Sequence, residues 1–263
     1  MTPAFAVGAG YLVLGPQLRT WSVAVAAGGV LAAFGLAVLV AVRRGRTAEP
    51  DPPLRGGLRL QAPALLGVGA YGLCSAVLLL HAEAPYLLGR LDIAVAAAPL
   101  ILMMGFVEWR AERFRPQAVA LVRRVHRPAA FVRGVRLLVA REAALCLLAT
   151  AVPAAILLAG LHHVGMLSAA GVAMTAAHVA LAGAYLLAYL LAGHGRFGWL
   201  CLSMLGAITG HVVAGALLGS APLLGVAGPA LVDTTLYLVS VLLLQVLFAL
   251  GLIPIVGQAK HYR

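Results

Sequence analysis

Residues 106–127 read FVEWRAERFRPQAVALVRRVHR. An apolar run ends here at Glu108 and Arg110, and a long arginine-studded segment follows. Nine arginines lie between Arg110 and Arg141. Each would cost about 2.5–3.5 kcal/mol at a bilayer centre, so burying the set would cost on the order of 25 kcal/mol. The segment must therefore sit outside hydrocarbon, and the runs on either side of it must be read around that constraint.

Those runs are membrane material. The chain is 63% hydrophobic and 10% charged over 263 residues, with a mean hydropathy of +1.01, too little polar surface to cover a soluble globule of that length. Aromatics are few while Ala, Leu, Val and Gly abound, which favours helices packed through small residues over a barrel of alternating strands. The expected fold is all-α, a polytopic helical membrane protein. A spanning helix needs about 20 apolar residues. Seven segments meet this, at about 21–42, 60–81, 92–108, 142–161, 168–193, 197–218 and 231–254, and residues 2–15 form a short eighth candidate. The opening MTPAFAVGAGYLVLG has no Lys or Arg of the kind that begins a secretory signal, so it is expected to be retained as a span or re-entrant piece. Pairs of small residues, Gly28 with Gly29 and Gly206 with Gly210, suit close helix contacts.

The cations fix the expected sidedness. Seventeen of the nineteen basic residues fall in four places: the loop from Arg43 to Arg59, the segment Arg110–Arg141, Arg196, and the tail with Lys260 and Arg263; only Arg19 and Arg90 lie elsewhere. If the seven long runs span, all four places share one face, which the positive-inside rule makes cytoplasmic. The expectation is thus a multi-pass protein of the inner or plasma membrane with its C-terminus inside. Three parts follow: a first helix group at 1–108 with a Pro- and Gly-rich cytoplasmic loop at 43–59, an interfacial segment at 109–141, and a second group of four spans at 142–263. The net charge of +11 is explained by topology and by anionic lipid headgroups, so nucleic acid is not expected as a partner.

Within the arginine segment Val119, Val122, Val125 and Ala129 recur at helical spacing, and Phe131, Val132, Val135 and Leu138 continue the stripe after Pro128. Arg123, Arg124, Arg127, Arg133 and Arg136 lie off it. This predicts an amphipathic helix pair at the cytoplasmic interface, broken at Pro128. Its arginines, with Arg110, Arg113 and Arg115, have three candidate roles: holding anionic headgroups, meeting an anionic substrate such as an acidic or lipid-linked saccharide, or docking a cytoplasmic partner.

An Asp-led apolar helix from Asp92 to Val107, then Glu108 and Trp109 with Arg110, Arg113, Phe114 and Arg115, then an amphipathic stretch carrying Gly134 and Arg141 before four further spans, resembles the later part of Pel-type exopolysaccharide exporters. These belong to the multidrug, oligosaccharidyl-lipid and polysaccharide flippase superfamily. The resemblance covers about residues 60–260 and lies in segment order. It implies export of a polysaccharide or lipid-linked saccharide by a half-sized relative, acting as a homodimer or with a partner subunit. The Thr expected after the acid is absent.

Ionisable groups inside apolar runs are costly and therefore candidates for a pathway. His178 and His211 fall within consecutive spans; Asp233 opens the last one beside Thr234, Thr235 and Tyr237, and Gln245 lies further along it. Each histidine either bonds a neighbouring helix as a neutral ring or takes part in proton coupling or substrate contact. Glu108 joins them as a candidate, and Glu142 beside Arg141 is expected to cap or pair. His162 and His163 are adjacent and point apart on a helix with no third ligand near, so no metal is expected. Cys74, Cys146 and Cys201 lie in separate apolar runs without a CxxC spacing and read as small buried hydrophobes. Neither a nucleophile elbow, a zinc helix, a phosphate loop nor a carboxylate pair is present, so neither enzyme chemistry nor a cofactor is expected. The functional expectation is a flippase-type transporter; the alternative is a permease or anchor subunit docking a cytoplasmic ATPase or glycosyltransferase.

Overall fold

The structure is a computed structural model that describes residues 57–83, 85–86, 89–125, 127–220 and 228–262. The candidate spans at 2–15 and 21–42, and the Pro- and Gly-rich loop up to residue 56, lie outside these. Residues 67–263 form one compact unit, and it is described here by itself.

All elements among the described residues are helical: α1 (Gly57–Glu83), the four-residue α2 (Leu91–Ala94), α3 (Ala98–Arg124), α4 (Pro128–His163), α5 (Ala169–Gly193), α6 (Phe197–Leu217), α7 (Ala230–Val256) and a closing 3-10 turn (Ala259–Tyr262). Five segments are long and apolar enough to cross a membrane, namely Leu91–Arg124 and the helices α4, α5, α6 and α7. Five of the six candidate spans that fall among the described residues thus coincide with such segments, and α1 occupies the place of the sixth, 60–81, as a helix.

The helix ends follow local chemistry. Ser168 caps α5 by accepting the Gly171 N–H at 3.1 Å, meeting one of the four amides a helix start leaves open. Pro128 stands at the first position of α4, where its fixed φ suits the helix and its missing N–H costs nothing. At the other end of α4, Gly165 takes φ +71°, donates to His162 O at 3.0 Å, and brings Met166 N within 2.9 Å of Leu161 O. Gly195 closes α5 in the same left-handed manner with φ +71°. This double bond needs a residue without a Cβ.

Packing centres on α5, which lies against α3, α4, α6 and α7. Ala177, Ala182, Ala184 and Ala188 are among its buried residues, and such short side chains let neighbouring backbones approach closely. Its neighbours carry Leu, Val and Ile outward instead: Leu102, Leu148, Val152, Ile156, Leu202 and Leu250 are all exposed. A water-facing bundle would hide this surface; a bilayer solvates it.

The arginine segment departs from expectation in form. It breaks at Pro128 as the pattern predicts, but its halves are the continuous ends of two long helices rather than a separate pair, and these helices run unbroken through 108/109 and 141/142. The reason is local: Arg, Ala and Gln are good helix formers, and Pro116 is accommodated inside α3. The two helices meet where Gly134 lies against Leu121, and they are clamped by Glu142, which is 0% exposed and ion-paired to Arg110 and to Arg141, the latter at 2.7 Å.

Both ends of the bundle are tied. At the arginine end Tyr262 stacks edge-on against Phe131 and bonds His194 Nε2 at 3.1 Å. At the other, buried Asp92 receives bonds from Arg90, at 3.3 Å, and from the Ser168 hydroxyl. Gly171 is obligatory there, since a Cβ would stand 2.7 Å from the Asp92 carboxylate.

Replacing Glu142 with Ala would leave the Arg110 guanidinium, 12% exposed, without its counter-charge, an expected loss of about 3–5 kcal/mol. Arg141→Ala, whose side chain is 57% exposed, is expected to cost under about 1 kcal/mol. Thermal unfolding in detergent, followed by size-exclusion, separates the two; equal melting points would refute the clamp.

Candidate functional site

In the half of the bundle away from the arginine segment, α1, α5, α6 and α7 turn polar groups towards one another in an otherwise apolar interior. His178 of α5 is fully buried, His211 of α6 is 3% exposed and Asp233 of α7 5%. Three residues that the sequence reading passed over join them: His81 and Glu83 at the end of α1, and Tyr86 just beyond.

His178 is held at both ring nitrogens. Nδ1 lies 2.9 Å from the Met174 carbonyl, which only accepts, so Nδ1 carries the proton. Nε2 stands 2.6 Å from Glu83 Oε1, an ion-pair contact whose atoms are not aligned as a directional hydrogen bond. The contact sets an acid from α1 against a base from α5.

His211 is fixed by a similar argument. The Ser240 hydroxyl donates to Leu236 O at 2.8 Å, leaving its oxygen to accept the Nδ1–H of His211 at 3.1 Å. The His211 ring meets that of His81 edge-on with centroids 5.1 Å apart. Tyr237 stands between the two groups, 5.8 Å from the His178 ring and 6.3 Å from the His211 ring. Its hydroxyl and Nδ1 of His81 are buried with no hydrogen-bond partner among the described residues.

Asp233 closes the arrangement. It accepts the Tyr86 hydroxyl, which also lies 3.1 Å from Gly228 O, and its charge reaches His81 and His211. Burial raises the Tyr86 pKa above the ordinary tyrosine value, and the bond to Asp233 raises it further. Tyr86 therefore remains a donor across the neutral range.

The remaining candidates lie apart. Gln245 donates to the Ala180 carbonyl, about 12 Å along α7 from Tyr237, and joins α7 to α5. Glu108 is exposed on α3 and acts electrostatically on Tyr189. Arg110 is bound to Glu142, and Arg113 lies 4.5 Å from the centre of the Trp109 ring. Arg115, Arg123, Arg124, Arg127, Arg133 and Arg136 are exposed. His162 and His163 are exposed too, and among the described residues no three His, Cys, Asp or Glu side chains group to hold a metal ion. All three cysteines are free thiols.

Tyr86→Phe would leave the buried Asp233 carboxylate without its hydroxyl donor, an expected loss of about 1–3 kcal/mol in thermal unfolding. Since the tyrosine is held protonated in the fold, its contribution is complete below the unfolded pKa, about 10, and fades as pH rises beyond it. The gap between wild type and Tyr86→Phe is therefore expected to be constant from pH 6 to 9; a gap that vanished within that window would refute the assignment.

No family model, curated protein or solved structure matches the chain.

Proposed function

We propose that this chain is a proton-coupled transport protein of the inner or plasma membrane, with the arginine end and the C-terminus in the cytoplasm and the histidine cluster in the outward half. What carries the reading is the Glu83–His178 pair and its neighbours His211, His81 and Asp233: four helices contribute acids and bases to one buried place, within reach of one another. Ionisable groups are expensive inside a membrane and are kept there chiefly on ion or proton pathways.

Coupling follows from the arrangement. Adding a proton to the His178–Glu83 contact converts imidazolium with carboxylate into imidazolium with a neutral carboxylic acid, which removes the charge attraction between α1 and α5. Loss of that attraction frees α1 to move against α5, and a proton thereby biases which side of the bundle opens. The cargo class comes from the resemblance to polysaccharide flippases, so a polysaccharide or lipid-linked saccharide is the first substrate to try.

The test is reconstitution into liposomes enclosing a pH-sensitive dye, with an imposed proton gradient and a lipid-linked oligosaccharide as cargo. Wild type is expected to couple proton entry to cargo movement. Glu83→Gln, His178→Gln, His211→Gln and Asp233→Asn are expected to lose at least about tenfold of the coupled flux, and Glu108→Gln none. Four cluster variants moving protons and cargo like wild type would overturn the proposal. Sidedness is checked separately by single cysteines in a cysteine-free background: labelling at position 124 or 196 is expected only from the cytoplasm, and at position 165 only from outside.

A further inference from the structure

The arginine hairpin reaches beyond the lipid. Trp109 is 42% exposed on α3 with Arg113 over its ring, the mark of a side chain at the headgroup level. The clamp to Glu142 sets the same level on α4. From there to Arg124 is fifteen residues, about 22 Å along the axis, and from Glu142 back to Pro128 fourteen residues, about 21 Å. The headgroup layer is only about 5–7 Å deep on each side, and tilting shortens the overhang without removing it.

The surface composition agrees with that reach. Leu, Val and Ile stud the outside of the spanning portions, whereas between Trp109 and Leu145 the one large hydrophobic residue exposed is Leu137, 71% accessible. The outer part of the hairpin is therefore clad for water. Arg123 and Arg124 lie about 21–22 Å from the Trp109 level, past the headgroup layer by more than a Debye length of about 8 Å, too far to be used up by lipid. Arg115, Arg123 and Arg124 lie along one face of α3 beside Val119 and Ala120, and Ala120 and Arg124 also line a groove between α3 and α4 together with Leu137 and Leu138.

We infer that this projecting groove docks an acidic amphipathic helix of a soluble cytoplasmic protein. Carboxylates on the helix would pair with Arg115, Arg123 and Arg124, and its apolar side would cover Leu137. Charge complementarity selects the acidic partner, and the apolar lining selects a helix over a bare polyanion. The base of the hairpin is held by the Glu142 clamp, so docking needs no prior ordering of the site.

The full chain is placed in nanodiscs of neutral phosphatidylcholine and titrated, by fluorescence anisotropy, with a labelled amphipathic helix of glutamate and leucine and with its leucine-free counterpart. The amphipathic helix is expected to bind, and the leucine-free one to bind more weakly. Arg123→Gln with Arg124→Gln is expected to weaken binding at least about tenfold, Leu137→Gln to remove the advantage given by leucine, and Arg113→Gln at the headgroup level to change little. These residues are exposed, and unaltered elution and helical circular dichroism show that the variants fold. The inference is overturned if the double variant binds like wild type, if both peptides bind equally, or if phosphatidylglycerol discs abolish binding, which would assign these arginines to lipid headgroups.

Discussion

A guanidinium group does not enter hydrocarbon at a tolerable cost, and everything else in this chain is arranged around that fact. Nine arginines between two apolar runs force those runs to leave the bilayer on the same side, so α3 and α4 must form a hairpin. The helices that follow then alternate. Only Arg110 is drawn inward among them, and it is matched by a carboxylate from the opposing helix. The clamp therefore joins the two helices at the base of their arginine-bearing ends.

The same accounting of charge governs the other half of the bundle with the opposite outcome. There the ionisable groups are inside, and three of them have a partner of the right chemistry: a carboxylate for His178, a hydroxyl for His211, a phenol for Asp233. No single helix supplies both members of any ionised contact in the cluster. The contacts between α1, α5, α6 and α7 thus include ionisable groups from different helices. An apolar core of the same size would lack that property.

The outline was legible because it depends on composition and on local signals. The arginines and Pro128 announce where α3 ends and α4 begins, and the stripe through Val119, Val122 and Val125 marks a half-buried face of the hairpin. What was not legible depends on distance in sequence. His178 and Asp233 stand out alone as polar residues in apolar runs, but their partners Glu83 and Tyr86 lie in HAEAPYLLGR, which reads as an ordinary polar boundary. Only packing brings that boundary inward against α5 and α7. Glu108, which looked like a pathway residue, is placed on an exposed face by the same helical period that buries Val107 and Phe114. The continuity of α3 through the arginines was hidden for a further reason: a change of solvent along a helix alters its side chains and leaves its backbone bonds untouched.

Trp199 near the start of α6 fits against Gly251 of α7 so closely that a Cβ there would meet the indole at 2.2 Å, and its N–H donates to Leu247 O at 2.8 Å. Gln245 meanwhile rivets α7 to α5. Twelve residues, about 18 Å, further along α6, His211 is bonded to Ser240 of the same α7, so α6 is pinned to α7 near both its ends and the two helices carry the His211 ring as one piece.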